Sequence, residues 1–359
     1  MYPVQNALYP TGSDMKKTIH VFTIFFKTSG SSMIGNIRPV MYRLLFSFFP
    51  GLLFSLPLYS QGKHIGSVEK IPNTLSVTTW YINRHSFLRI SARENKTVPS
   101  VIYAPNVRGG LGGAVSYKGL SLGYTFKLPQ NERYGNTQFT DIFLGYQGRH
   151  IGFSFFYLRY RSLYLKNPEE IGYPDMPDRP LRPDIGVSGF ALQSDYAFRK
   201  GFSVKAAFAQ TERQRESTGS FVLMFSERFT SLKNDSSFIP YILTSFFDQT
   251  HAIADIRLNT LSVAPGAAYT LVLSHDWSIT TMLNTGWGFQ MKFYRQEGTK
   301  RFGAGLPFFI RSKSAIGYNG EKLFCRLVYY LERNNILFRD SRFAFFSSSL
   351  QFSIGYRIL

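Results

Sequence analysis

The chain has 359 residues, 17% of them aromatic, with 41 Lys and Arg against 22 Asp and Glu and a formal net charge of +19. A mean hydropathy of -0.11, with no unbroken apolar run of about 18 residues, excludes a helical membrane bundle. The one cysteine, Cys325, excludes an internal disulfide framework. The basic residues are scattered rather than clustered, which argues against a nucleic-acid partner.

In chain order, Arg38 and Arg43 precede the apolar stretch Leu44–Leu56, and Pro57, Leu58, Tyr59 and Ser60 follow it. A positive start, a short apolar core and a small residue at its end form a secretory signal. Residues 33–60 are therefore expected to be a cleaved signal peptide, with Met33 and Met41 both available as starts. Residues 1–32 read as an upstream extension, 61–72 as a periplasmic segment, and 73–359 as one barrel.

From residue 73 the pattern is strand-like, with apolar side chains at every second position. Leu75–Ala92 reads as one long strand. Leu111, Val115 and Tyr117 meet Leu120, Leu122, Tyr124 and Phe126 across a Lys118–Gly119 turn. Ile142, Leu144 and Tyr146 lead through Gln147–Arg149 into Ile151, Phe153, Phe155 and Tyr157. Phe190, Leu192 and Tyr196 turn at Arg199–Gly201 into an expected strand carrying Phe202, Val204, Ala206 and Phe208. Phe238–Phe247 is ambiguous: accepted as a strand it brings the number to fourteen, and dropping a pair gives twelve. Leu261–Leu273 and Trp277–Met291 pair across Ser274–Asp276, and Asn319–Gly320 is expected to make a hairpin turn, since both residues tolerate positive φ. The closing segment Leu350–Leu359 alternates strictly, with Phe352, Ile354, Tyr356 and Ile358 on one face.

Longer polar links fall at Pro129–Asn136, Asn167–Ile185, Gln210–Gly219, Arg295–Gly303 and Arg333–Ser341. Alternating short and long connections, amphipathic strands and many aromatics define the expected fold: all-β, a single-chain antiparallel transmembrane β-barrel of 12–14 strands after a signal peptide. Its expected location is the outer membrane.

Three segments in order, Tyr103–Asn106, Tyr117–Leu122, and Gln210–Gln214 with Ser217–Phe221, carry a family likeness. The chain resembles an uncharacterised domain-of-unknown-function family of predicted Bacteroidota outer-membrane β-barrels. The resemblance covers about residues 70–359 and implies an envelope barrel without established catalytic residues. Leu359 departs from the terminal aromatic usual in such barrels; the nearest aromatic is Tyr356.

Charges facing lipid at mid-membrane cost about 2–4 kcal/mol each, so alternation assigns strand charges to the lumen. Lys127, Lys205, Lys292, Arg311, Lys313, Arg326 and Arg357 form the expected inward basic set, with Asp141, Asp195 and Glu332 available to pair with them. Glu212, Arg213, Arg215 and Glu216 form a second cluster, expected at an external rim or in an inward plug, with a strand extending beyond the membrane and carrying solvated charges as the alternative. His251, with Asp248 and Asp255 nearby, is the best candidate for a catalytic base, but no G-x-S-x-G nucleophile motif accompanies it. Glu169, Glu170, Asp175, Asp178 and Asp184 lack calcium-loop spacing, and the glycines of 109–113 lack the Lys-Ser/Thr of a phosphate loop. No enzyme activity, catalytic residue, metal or cofactor is therefore expected. The expected role is a pore or binding site for a small anionic or amphipathic solute, porin-like in kind. The alternatives are an envelope component binding lipopolysaccharide or a protein, and a barrel hydrolase. Expected partners are outer-membrane lipid and the barrel assembly machinery; the oligomeric state stays open.

Overall fold

The computed structural model describes residues 67–71, 75–173, 180–247 and 250–358. The signal segment lies outside the described residues. A short β1 (Val68–Lys70) precedes β2 (Leu75–Ala92), β3 (Val101–Pro105), β4 (Gly109–Tyr117), β5 (Leu120–Lys127), β6 (Gln138–Gln147), β7 (Ile151–Leu165) and β8 (Leu181–Ala197). Helix α1 (Val204–Phe208) and β9 (Glu212–Gln214) interrupt the rhythm. It resumes with β10 (Thr218–Lys233), β11 (Ile253–Val272), β12 (Trp277–Gln296), β13 (Thr299–Gly305), β14 (Phe308–Asn319), β15 (Leu323–Leu337) and β16 (Ser341–Ile358).

Twelve strands close a ring: β2, β4 to β8, β10 to β12 and β14 to β16, with β16 returning to β2 over the whole length from Ser341↔Ala92 to Ile358↔Leu75. Every pairing is antiparallel. β13 continues β14 along β12 beyond Leu306 and Pro307, and β3 continues β4 to bridge β2 and β7 above the shorter β5 and β6.

The register fixes the barrel's dimensions. Starting at Trp277 and stepping through Tyr318, Cys325, Ile354, Thr79, Gly113, Tyr124, Ile142, Tyr157, Phe190, Phe229 and Asn259, the pairing returns to β12 at Met291. The ring thus closes with a shift of 14 residues, from 277 to 291. With a rise of about 3.3 Å per residue and strands about 4.8 Å apart, the strands tilt by about 40° and the backbone ring is about 24 Å across.

The outer face is apolar. Leu122, Phe153, Leu192, Phe221, Val263, Leu283, Leu327 and Phe352 are all exposed on it. Tyr117, Tyr146, Tyr196, Trp277 and Tyr356 ring the end that carries the short turns, and Trp287 sits ten residues above Trp277 on the same strand. Ten residues at that tilt span about 25 Å, the height of the apolar band of membrane barrels. The fold is a transmembrane β-barrel.

Several expected elements differ. Phe202–Phe208 is not a strand. Ser203 caps α1 by accepting from the Ala206 N–H at 3.0 Å, and Ala207 is buried along with Val204, Ala206 and Phe208, so the segment is apolar on both parities. Phe238–Phe247 is also no strand: Pro240 starts a 3-10 helix at Tyr241–Phe246. The polar stretch at 295–303 is a tight turn, with Glu297 and Gly298 both at positive φ, rather than a long link. Asn319 and Gly320 do form a hairpin connection, but neither has positive φ; three residues, Gly320 to Lys322, make the link.

Candidate functional site

Two plugs fill the barrel from opposite ends. At the loop end, inward residues such as Ile90, Ile185, Ile256 and Phe343 pack with Phe238, Ile239, Leu243 and Phe247 from the link between β10 and β11. The Tyr103 hydroxyl donates to the Phe238 carbonyl at 2.8 Å and accepts from Arg182 at 3.1 Å. Arg182 also holds Asp184 in a bidentate pair at 2.8 and 2.7 Å. That hydrogen-bonded guanidinium lowers the Asp184 carboxyl to about 2, against the opposing effect of burial.

At the turn end, residues 198–217 between β8 and β10 enter the barrel instead of making a tight turn. Phe202, Val204, Ala207 and Phe208 pack on Val222, Met282, Ala315 and Val328. The next segment, β9, pairs antiparallel with β1, from Val68↔Gln214 to Lys70↔Glu212.

The cluster expected at a rim or plug lies here. Glu212 accepts from Ser203 at 2.7 Å and pairs with Arg149 at 3.3 Å. Arg213 is buried, pairs with Glu69 at 2.9 Å and Asp276 at 3.1 Å, and donates to the Asn319 carbonyl. Arg215 also pairs with Glu69, while Glu216 is exposed. The cluster does not sit among the loop-end links. Arg357 closes the arrangement, donating to carbonyls of Gln210, Gly320 and Glu321 and to the Asn319 side chain, with its guanidinium 4.5 Å from the Phe324 ring centre.

Between the plugs lies a cavity of about 450 Å³. Phe143, Phe156, Tyr160, Tyr330 and Phe208 give it apolar walls. Three ion pairs brace it across the lumen: Arg84 on β2 with Asp141 on β6 at 2.5 Å, Arg228 on β10 with Glu332 on β15, and Arg311 on β14 with Asp195 on β8. Arg311 also donates to Gln193 at 3.2 Å and Asn284 at 3.1 Å, and Tyr330 and Asn334 both donate to Glu332.

The cavity is lined by five cationic side chains and three carboxylates. Each carboxylate has its arginine. Lys313 and Arg326 are left: among the described residues neither pairs with a carboxylate. Both face the floor formed by α1. Lys313 Nζ stands 4.0 Å from the Phe208 ring centre, and Arg326 donates to the Phe208 carbonyl while its Nε has no partner.

The remaining members of the expected basic set are dispersed. Lys127 bonds Asn136 at 2.6 Å and Thr137 at 2.8 Å at the loop end; Lys292 donates to the Leu337 carbonyl. Lys205 is on α1, not on a strand, because the segment expected to carry it is helical. Arg84 and Arg228 lie outside the expected set. Ser86 beside Arg84, and Ser226 and Thr230 on either side of Arg228, share their inward parity and are polar, so the alternation does mark that face. His251 takes its Nδ1 contact from the Phe247 carbonyl at 3.0 Å, and Asp255 is engaged by Arg295; Asp248 lies outside the described residues, as do Asp175 and Asp178. No group of metal-ligating side chains occurs among the described residues.

The model of the domain of unknown function DUF4421 matches residues 68–357, from β1 to the end of β16. The chain belongs to this family. No curated protein matches the sequence. Among solved structures, it is similar to the outer-membrane protease OmpT from Escherichia coli, at 8% identity and TM-score 0.39 over 82% of this chain and 99% of that one. It is similar to the translocator domain of autotransporter NalP from Neisseria meningitidis, at 11% identity and TM-score 0.35 over 89% and 96%. A third is the toluene transporter TodX from P. putida, at 9% and 0.28 over 80% and 91%.

Proposed function

We propose that this protein is an outer-membrane barrel that binds a small anionic solute with an apolar portion in its lumen. The observation that carries the reading is the pair Lys313 and Arg326, two inward cations without a carboxylate, beside aromatic walls. A buried cation without a counter-charge is costly, and a bound anion would remove that cost. The cavity volume lies within the roughly 300–1,000 Å³ of small-molecule sites. Passage through the barrel would require movement of at least the turn-end plug.

Trp80 supplies the test. It is the inward tryptophan of the three, while Trp277 and Trp287 face outward. With the outer two replaced by Phe, a brominated medium-chain carboxylate should quench Trp80, and the brominated alkylammonium of equal length should not. Lys313→Met with Arg326→Gln should weaken the carboxylate about tenfold or more, the loss of roughly one charge-assisted contact. Equal quenching by both probes, or by both proteins, would sink the reading.

A second reading, a structural component of the envelope, is favoured by the filling of both ends of the barrel. Deletion that weakens the envelope without changing solute uptake would support it over the first.

A further inference from the structure

Above the apolar band the outer face turns basic. Arg89 on β2, Arg342 on β16 and Arg333 on β15 are all exposed, on the same outward parity as Tyr81, Leu350 and Leu327. The register places them together. Arg89 is opposite Ala344, Arg333 is opposite Phe346, and Arg342 is opposite both Ser91 and Leu337, so the three surround Ala344 on three adjacent strands. No carboxylate pairs with any of them among the described residues.

Their height is set by the barrel's geometry. A shift of 14 residues over twelve strands lowers each level by a little over one residue per strand. Followed from Trp287, that level reaches β15 at Arg333, with Arg89 and Arg342 about 12–14 Å higher. The cluster therefore begins where the apolar band ends. Within the cluster, between Arg333 and the other two arginines, Phe87 and Phe346 stack at 4.8 Å, also outward, and Arg89 lies 6.0 Å from the Phe87 ring centre.

We infer that Arg89, Arg333 and Arg342 bind the phosphate of a membrane lipid head group, with the Phe87–Phe346 pair among them against the non-phosphate part of the same lipid. Guanidinium forks match phosphate oxygens in geometry and charge. Three of them around a small residue, at head-group level and without carboxylates, form an anion site open sideways to the membrane. A free phosphate ion offers the same oxygens, but only a lipid also covers the aromatic pair. The inference is independent of what the lumen holds.

The test uses native mass spectrometry of the full folded barrel in detergent, with diphosphorylated lipid A, its dephosphorylated form, a zwitterionic phospholipid and inorganic phosphate as probes. The combined variant Arg89→Ser, Arg333→Ser, Arg342→Ser is compared with Lys118→Ser, Lys200→Ser, Lys322→Ser, which removes the same charge from exposed turn-end positions. Heat-modifiable migration confirms that both variants fold. The wild type and the turn-end variant should retain diphosphorylated lipid A, and the arginine variant should lose about a hundredfold in affinity. Equal retention by all three proteins would overturn the site. Retention unaffected by removing the lipid's phosphates, or abolished by millimolar inorganic phosphate, would overturn its assignment to a phosphorylated lipid.

Discussion

Arg357, on the closing strand, donates to the backbone carbonyl of Gln210, 147 positions earlier in the chain. The contact ties the last turn of the barrel to the segment that fills its mouth. Gln210 itself has positive φ and donates to the carbonyls of Tyr318 and Cys325, so the plug is fastened to three consecutive strands. Arg357→Ala leaves several buried carbonyls without a donor. The expected cost is about 3–4 kcal/mol, read as a lower urea midpoint in refolded vesicles. Arg357→Lys should recover only part, because an ammonium cannot span the separate acceptors that a guanidinium reaches. Unchanged stability in the alanine variant would mean that the plug is held elsewhere.

The β1–β9 pairing is a latch across the same mouth, joined by Glu69 to Arg213 and Arg215. Glu69 is more than a third exposed, so the pair contributes only about 0.5–1 kcal/mol to stability. Its consequence should appear in plug motion. Glu69→Arg is expected to increase the frequency of brief conductance events in planar bilayers while leaving heat-modifiable migration unchanged. Adding Arg213→Glu should restore only part of the closed state, since Arg213 also engages Asp276 and the Asn319 carbonyl. No difference in conductance between wild type and Glu69→Arg would remove the latch.

At the loop end the depressed Asp184 carboxyl gives a pH dependence with a definite sign. A carboxyl whose folded value lies below its unfolded value of about 4 stabilises above that value. Its contribution is lost as pH falls from near 4 to about 2. Asp184 also accepts from the Ser236 hydroxyl at 3.1 Å, so its protonation should loosen the link that packs Phe238 beneath it. Hydrogen exchange around residues 236–247 should rise over that interval in the wild type, and be raised and flatter in Asp184→Asn. Exchange that rises instead between pH 5 and 7 would assign the control to another group.

The barrel was legible because its membrane face has one rule. Phe352, Ile354, Tyr356 and Ile358 face lipid, and the intervening residues cannot all be apolar if the lumen is polar. The rule fails wherever the inside is also apolar. At the loop end Ile90, Leu232, Ile256 and Phe343 face a packed plug, so both faces there look alike. Val204, Ala206 and Phe208 continue the strand-like spacing from Phe202 within a helix only five residues long, too short for its own period to show. Which arginine takes each of Asp141, Asp195 and Glu332, and so which cations are left over, is set by which strands face each other across the ring, and that depends on the 14-residue shift rather than on any local motif.

One packing relationship connects the glycine-rich β4 to the shape of the lumen. Gly112 lies directly opposite Trp80, and the indole folds inward over it and over Gly123 on β5, where an added Cβ would stand 2.8 Å from the ring. The Trp80 N–H reaches the Thr125 hydroxyl at 3.4 Å, which fixes the ring in that direction. The glycines are therefore space for an aromatic ring. Gly112→Ala places a methyl within the indole and should cost about 1–3 kcal/mol in urea unfolding from vesicles. On a Trp80→Leu background the same substitution should cost close to nothing, because the ring that opposes it is gone. Equal costs on the two backgrounds would show that Gly112 serves the backbone of β4 and not the indole above it.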